Sequence, residues 1–190
     1  MAFTVSDFKS NLRGGGARSS LFSVSLTYPN GISTNSLKSE FLIKGTTIPA
    51  STLGTYEVFF HGKGIKVAGD RAFDSWDTTI INDEDFGIRE ALENWMKLIS
   101  DHKLNTRDTG ITSTKEGDNA SYKQTLSVTQ FGKNGNKLRT YEFFGAFPTA
   151  LSTITLDWGT SEIEEYTCTW TYDSWKAEKF VPSGPNMNER

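Results

Sequence analysis

Three stretches of this chain alternate strictly between an apolar or aromatic residue and a small hydroxyl residue, and that period of two constrains the fold more than any other feature. In the first, Phe22, Val24 and Leu26 share one face while Ser23, Ser25 and Thr27 share the other. In the second, Thr125, Ser127 and Thr129 alternate with Leu126 and Val128. In the third, Thr167, Thr169 and Thr171 alternate with Tyr166, Cys168, Trp170 and Tyr172. Successive side chains of a strand point to opposite faces, so each stretch reads as a strand with one dry and one wet side. Antiparallel sheets commonly have such a side. The fold expected is therefore mainly β, an antiparallel β-barrel or sandwich with one flanking α-helix.

The helix is expected over residues 83–102. Ile88, Ala91, Leu92, Trp95 and Ile99 recur three or four residues apart, Asn82 is a candidate cap, and Asp83, Glu84 and Asp85 suit the positive end of the helix dipole. Further strands are expected at Glu40–Ile43, Trp76–Ile81, 121–131 and 138–147, the last ended by Pro148, and a long final strand at Ile163–Tyr172. The pair 121–131 and 138–147 flanks Asn134-Gly135, a hairpin signal. Residues 45–69 carry five glycines around Tyr56, Val58, Phe59 and Phe60, the pattern of a long protruding hairpin. Residues 1–20, with Gly14-Gly15-Gly16, read as a flexible N-terminal arm, 103–120 as a loop, and 181–190, with Pro182 and Pro185, as a loosely ordered tail. What lies between, 21–180, is one domain, with a core rich in its 13 Phe, 6 Tyr and 5 Trp.

No catalytic set assembles from these residues. His61 and His102 are the only histidines and Cys168 the only cysteine, too few for a zinc site. Gly62-Lys63-Gly64 lacks the spacing and the following helix of a phosphate loop. Asp83-Glu84-Asp85 runs into a helix rather than a calcium loop, and Glu162, Glu164 and Glu165 read as a solvated strand start. Cys168 lies mid-strand on the apolar side, where a small buried residue belongs. No cofactor is implied. No apolar run approaches the roughly 20 residues of a membrane helix, and the lone cysteine suits synthesis in a reducing cytoplasm.

Lys and Arg number 20 against 23 acidic residues. A chain that grips DNA draws most of its affinity from phosphate neutralisation, which needs a basic surplus. Rows of serine and threonine are nevertheless a wall that duplex DNA can pass without sticking. One domain cannot enclose a duplex, because barrel width follows strand number. Several copies joined head to tail would both widen the pore and cover strand edges. The alternative is an ordinary sheet with a solvated side. Likewise Tyr56, Val58, Phe59 and Phe60 either bury on a neighbouring copy or fold back on their own domain.

The run Ile65-Lys66-Val67-Ala68-Gly69-Asp70-Arg71-Ala72-Phe73-Asp74-Ser75-Trp76, continuing through Ile81-Asn82-Asp83-Glu84, resembles the signature of tail tube proteins from contractile-tailed bacteriophages. Ala17-Arg18-Ser19-Ser20-Leu21-Phe22, Phe147-Pro148-Thr149, Leu156-Asp157-Trp158 and Ile163 to Trp175 resemble it in the same order. The resemblance implies a virion protein that assembles as hexameric rings, each subunit giving four strands to a continuous inner barrel. It implies stacking on a baseplate tube initiator beneath a tail terminator, a surrounding sheath protein, and DNA passing through the lumen without specific binding. By position, the hairpin and Asp70-Arg71 would belong to contacts between subunits or rings, or Asp70 and Arg71 would brace each other or their own domain's loop. The other readings are a baseplate initiator or secretion-system tube component of the same fold, and a monomeric β-sandwich binding module.

Overall fold

A computed structural model describes residues 4–12, 16–32, 36–115, 118 and 121–179. The expected tail at 181–190, and Gly14 and Gly15 of the arm, lie outside the described residues. In chain order the elements are α1 (Val5–Asn11), β1 (Phe22–Ser25), α2 (Ser36–Leu42), β2 (Ile43–Thr46), β3 (Thr52–Phe60), β4 (Lys63–Ala72), β5 (Trp76–Ile81), α3 (Gly87–Ile99), β6 (Gln124–Phe131), β7 (Lys137–Leu151), β8 (Glu165–Thr171) and β9 (Ser174–Lys179). Among the described residues every strand pairing is antiparallel, and β3 pairs only with β4.

The other strands form one sheet that turns back on itself. Its order is β1-β6-β7-β8-β5-β2, with β9 also on β7. The first half of β7 pairs with β6 and β9, and its second half with β8. The change comes at Gly145, whose φ of 66° only glycine adopts without strain. There two residues of β7, Phe144 and Gly145, oppose one of β6, Thr125, a bulge that bends the strand. Two half-sheets result: β1-β6-β7-β9, and β2-β5-β8 with the end of β7. Trp76 on β5 stacks on Phe143 of the first half-sheet, centroids 4.3 Å apart, so the two dry faces meet and the wet faces point away from each other. Among the described residues β1 does not pair with β2, so the roll is not a closed barrel.

The core is layered by register. Val24, Val128, Tyr141 and Ala177 stand in one rung of the first half-sheet, and Leu126, Phe143 and Trp175 in another. Facing them are Ile43, Ile80 and Tyr166, then Thr78 and Cys168, then Trp76 and Trp170. Helix α3 adds Ile88, Ala91, Leu92 and Trp95, whose ring meets Trp170 edge-on at 5.6 Å. Indoles in a core need a partner for the N–H. Trp76 donates to the Thr47 carbonyl, Trp95 to the Tyr122 carbonyl and Trp170 to Thr78 Oγ1, each at 2.9 Å.

Several elements depart from expectation, each for a local reason. The helix over 83–102 is shorter, at Gly87–Ile99, because Asn82 does not cap it. Asn82 is tied to Glu164 through backbone and side chain, both at 2.8 Å, and Phe86 occupies the cap position with φ of 52°. The acidic run forms a turn instead: Asp83 Oδ1 accepts from Glu84 N–H, Asp85 Oδ1 accepts from Gly87 N–H, and Lys38 bonds both carboxylates. The strand expected at Glu40–Ile43 is the end of α2 followed by β2. There Ser39 and Ile43, four apart, are buried and Phe41 points to solvent, which is helical spacing. Pro148 does not end β7. It lies beyond the last β6 pair at Ala146 and opposite Trp170 of β8, beside a register irregularity where a missing N–H is tolerated. The final strand is Glu165–Thr171, and β9 follows it after a break at Tyr172-Asp173. Two short helices, α1 and α2, join the single one expected.

Candidate assembly surfaces

The wet face of the first half-sheet is a regular grid. Ser23, Thr129, Thr140 and Glu178 stand side by side across β1, β6, β7 and β9, and Ser25, Ser127, Glu142 and Lys176 form the next rung. Thr129 is itself buried, its hydroxyl 3.2 Å from that of Thr140, and Lys176 bonds Glu178. No large hydrophobic side chain is exposed on these four strands. Thr125 is half-buried where β6 meets the bulge, and Thr27 is exposed just past the end of β1. The structure thus brings Ser23, Ser25, Ser127 and Thr129 together. It places Thr167, Thr169 and Thr171 on the outward face of the other half-sheet, where Thr169 donates to Asp77 Oδ1 at 2.6 Å. Both outer strands of the grid, β1 and β9, pair on one side only among the described residues. That leaves two rows of unpaired backbone N–H and C=O groups, an invitation to a further strand.

The second surface is the β3–β4 hairpin. It turns at His61-Gly62, with φ of 46° and 81°, the two positive values of a tight two-residue hairpin turn. Every residue of β3 is exposed. Register sorts its side chains. Tyr56 opposite Val67, Val58 opposite Ile65, and Phe60 share one face, while Thr55, Glu57 and Phe59 share the other with Lys66 and Gly64. The sequence grouped Phe59 with Tyr56, Val58 and Phe60; the register removes it and adds Ile65 and Val67, whose own alternation around Lys66 carried that signal. Asp70 accepts from the Tyr56 hydroxyl at 3.2 Å, so it braces the hairpin rather than Arg71. Arg71 is exposed and makes no ion pair among the described residues. A cavity of about 860 Å³ lies away from the hairpin, beside α3, with Lys38, Glu90, Asn94 and Leu98 in its lining.

Chemistry is suppressed where it might have been sought. Burial pushes the Cys168 thiol far above its usual range, which leaves it protonated and inert. Tyr28 and Tyr166 are raised by the same cause.

Known proteins resemble this chain in both sequence and shape. The phage tail tube protein family matches residues 17–178. The tail tube protein gp19 of Enterobacteria phage T4 is 30% identical over 162 residues, covering 84% of this chain and 91% of that one. The chain belongs to the phage tail tube protein family. The tail tube protein of Serratia phage KSP90 is 26% identical over 175 residues, covering 89% of this chain and 94% of that one. In shape, the tube-terminating cap of the anti-feeding prophage superposes with a TM-score of 0.62 at 16% identity, covering 87% of this chain and 92% of that one. A chain of the sheath–tube complex of an extracellular contractile injection system gives 0.56 at 14% identity, covering 94% and 100%. This tail tube protein is accordingly a structural subunit of a contractile-tailed phage and a virion component. Its family role is structural.

Proposed function

We propose that the chain assembles head to tail into hexameric rings in which β1-β6-β7-β9 is the subunit's share of the tube's inner wall. The observation that carries this reading is the unpaired margin on each side of the hydroxyl grid. Pairing β1 of one copy with β9 of the next satisfies both margins and continues the sheet around the ring. Six copies supply about 24 strands, a bore wider than the aqueous pore of a 16- to 18-stranded barrel. The rungs Ser23–Thr129–Thr140–Glu178 and Ser25–Ser127–Glu142–Lys176 then face the lumen. Their hydroxyls hydrogen-bond water, Lys176 is neutralised by Glu178, and Glu142 repels phosphate, so the wall lets DNA through without holding it.

Thr167, Thr169 and Thr171 fall on the outer side in this arrangement, toward the sheath. The hairpin face of Tyr56, Val58, Phe60, Ile65 and Val67 buries between rings, and Arg71 at its base meets an acidic group of the next copy. Sheath–tube, terminator and baseplate assemblies of contractile injection systems contain chains of this fold. A sheath protein, a tube initiator and a tail terminator are the partners proposed here.

Negative-stain electron microscopy of the purified chain tests the assembly. Six-fold rings or hollow filaments are expected. A uniform population of monomers at millimolar concentration overturns the reading.

A further inference from the structure

Helix α1 is a formed element none of whose own residues is buried. Its first turn is locked by a capping box: Thr4 Oγ1 accepts from the Asp7 N–H at 3.2 Å, and the Asp7 carboxylate accepts from the Thr4 N–H and hydroxyl. Val5, Phe8 and Leu12, three and four residues apart, fall on one face, and all three are exposed. Two turns of helix are not stable in water by themselves, so an apolar stripe on so short a helix is held by whatever covers it. The family match spans residues 17–178, so α1 lies outside it.

The same chain displays a matching surface. From Val5 to Leu12 the helical stripe runs about 10 Å. From Tyr56 to Phe60 the hairpin stripe runs about 13 Å, and it is two strands wide, an apolar bed for one helix face with Lys63 opposite Phe60 at its tip. Charges complement as well. Lys9 flanks the helical stripe and has no carboxylate partner among the described residues, while Asp70 stands at the base of the hairpin stripe with no cation partner among them. A knob and its bed on different parts of one molecule make a head-to-tail contact, which propagates along an open assembly.

We infer that α1 of one copy lies across the hairpin of a copy in the adjacent ring, its Val5–Phe8–Leu12 stripe on Tyr56, Val58, Phe60, Ile65 and Val67, with Lys9 toward Asp70. The N-terminal arm is then a strap that locks ring to ring. This rests on the tube reading and names what covers the hairpin face.

The test uses full-length chains carrying Phe8→Cys or Val58→Cys, mixed before assembly and oxidised in the tube. Cys168 is buried, so only the introduced thiols react. A disulfide-linked heterodimer joining residues 8 and 58, identified by mass, is the expected result, and a chain carrying both substitutions gives a ladder of oligomers. Tubes that form without the cross-link overturn the strap but leave the tube reading intact. A doubly substituted chain that closes only within itself also overturns it, since α1 then covers its own hairpin. Failure of the unsubstituted chain to form tubes overturns both. Phe8→Ser with Leu12→Ser gives an independent measure: the critical concentration for elongation rises about tenfold, equivalent to about 1.4 kcal/mol, with the thermal melt unchanged. An unaltered critical concentration contradicts the strap.

Discussion

Replacing Val58 and Phe60 by serine separates assembly from folding more cleanly than any other change in this chain. In the monomer Val58 is 55% and Phe60 66% exposed, so most of their surface is still in water when folding is complete. Fully burying a valine or phenylalanine is worth about 1.5–3 kcal/mol. The exposed share leaves about 1 kcal/mol for Val58 and about 2 kcal/mol for Phe60 to be gained on contact. Losing about 3 kcal/mol per contact raises the critical concentration for tube formation about a hundredfold. The monomer itself should lose no more than about 0.5 kcal/mol, as surface positions do. Sedimentation of assembled from free protein over a concentration series reads the first effect, and urea unfolding followed by circular dichroism reads the second. Phe59→Ser is the internal control. Phe59 is 70% exposed, as apolar as Phe60 and adjacent to it, yet the register sets it on the opposite face beside Glu57. It should shift the critical concentration by less than about threefold. If Phe59→Ser is as damaging as Phe60→Ser, or if the double variant assembles at the unaltered concentration, the one-faced docking surface is wrong.

Other outcomes follow from the fold. Gly145→Ala places a side chain at φ of 66°, with its Cβ clashing with an Asp173 oxygen that Lys123 already holds, and should cost about 1–3 kcal/mol in urea unfolding. Trp95→Ala empties the space between α3 and Trp170 and orphans the Tyr122 carbonyl, for a loss of about 3–5 kcal/mol. Because burial raises the Cys168 thiol, a thiol reagent at pH 8 should label it only as the chain unfolds, and labelling of the native protein at the rate of a free cysteine would contradict the burial. Ser25→Lys with Ser127→Lys adds two cations to each subunit's wall; tubes should form, and DNA release from particles built with them should slow and become salt-dependent.

The strands were legible where one face is dry and the other wet. Ser23 to Leu26, Trp76 to Ile81 and Tyr166 to Thr171 each announce themselves by a period of two that burial then uses. The stripe of α3 was equally plain, because Ile88, Leu92 and Trp95 have a core to fill. What the residues concealed was pairing. Nothing local to Thr167, Thr169 and Thr171 says that they stand on the opposite side of the roll from Ser127 and Thr129. That separation follows from a bend at Gly145, more than 20 residues away. Phe59 and Phe60 look alike in a list of residues, and only the turn at His61-Gly62 fixes which partner each faces. Asn82 and Asp83 carry a good cap signature that long-range bonds to Glu164 and Lys38 override. Ser174 to Lys179 passed unnoticed because Lys176 and Glu178 face outward, and Trp175 and Ala177 alone make a weak stripe.

A helical reconstruction of the assembled tube at side-chain resolution bears most directly on the central proposal. The expected density has β1 of each subunit hydrogen-bonded to β9 of its neighbour, with Ser25, Ser127 and Glu142 bordering the bore. A tube whose subunits touch only through loops, or whose bore is bordered by Thr167, Thr169 and Thr171 instead, contradicts it.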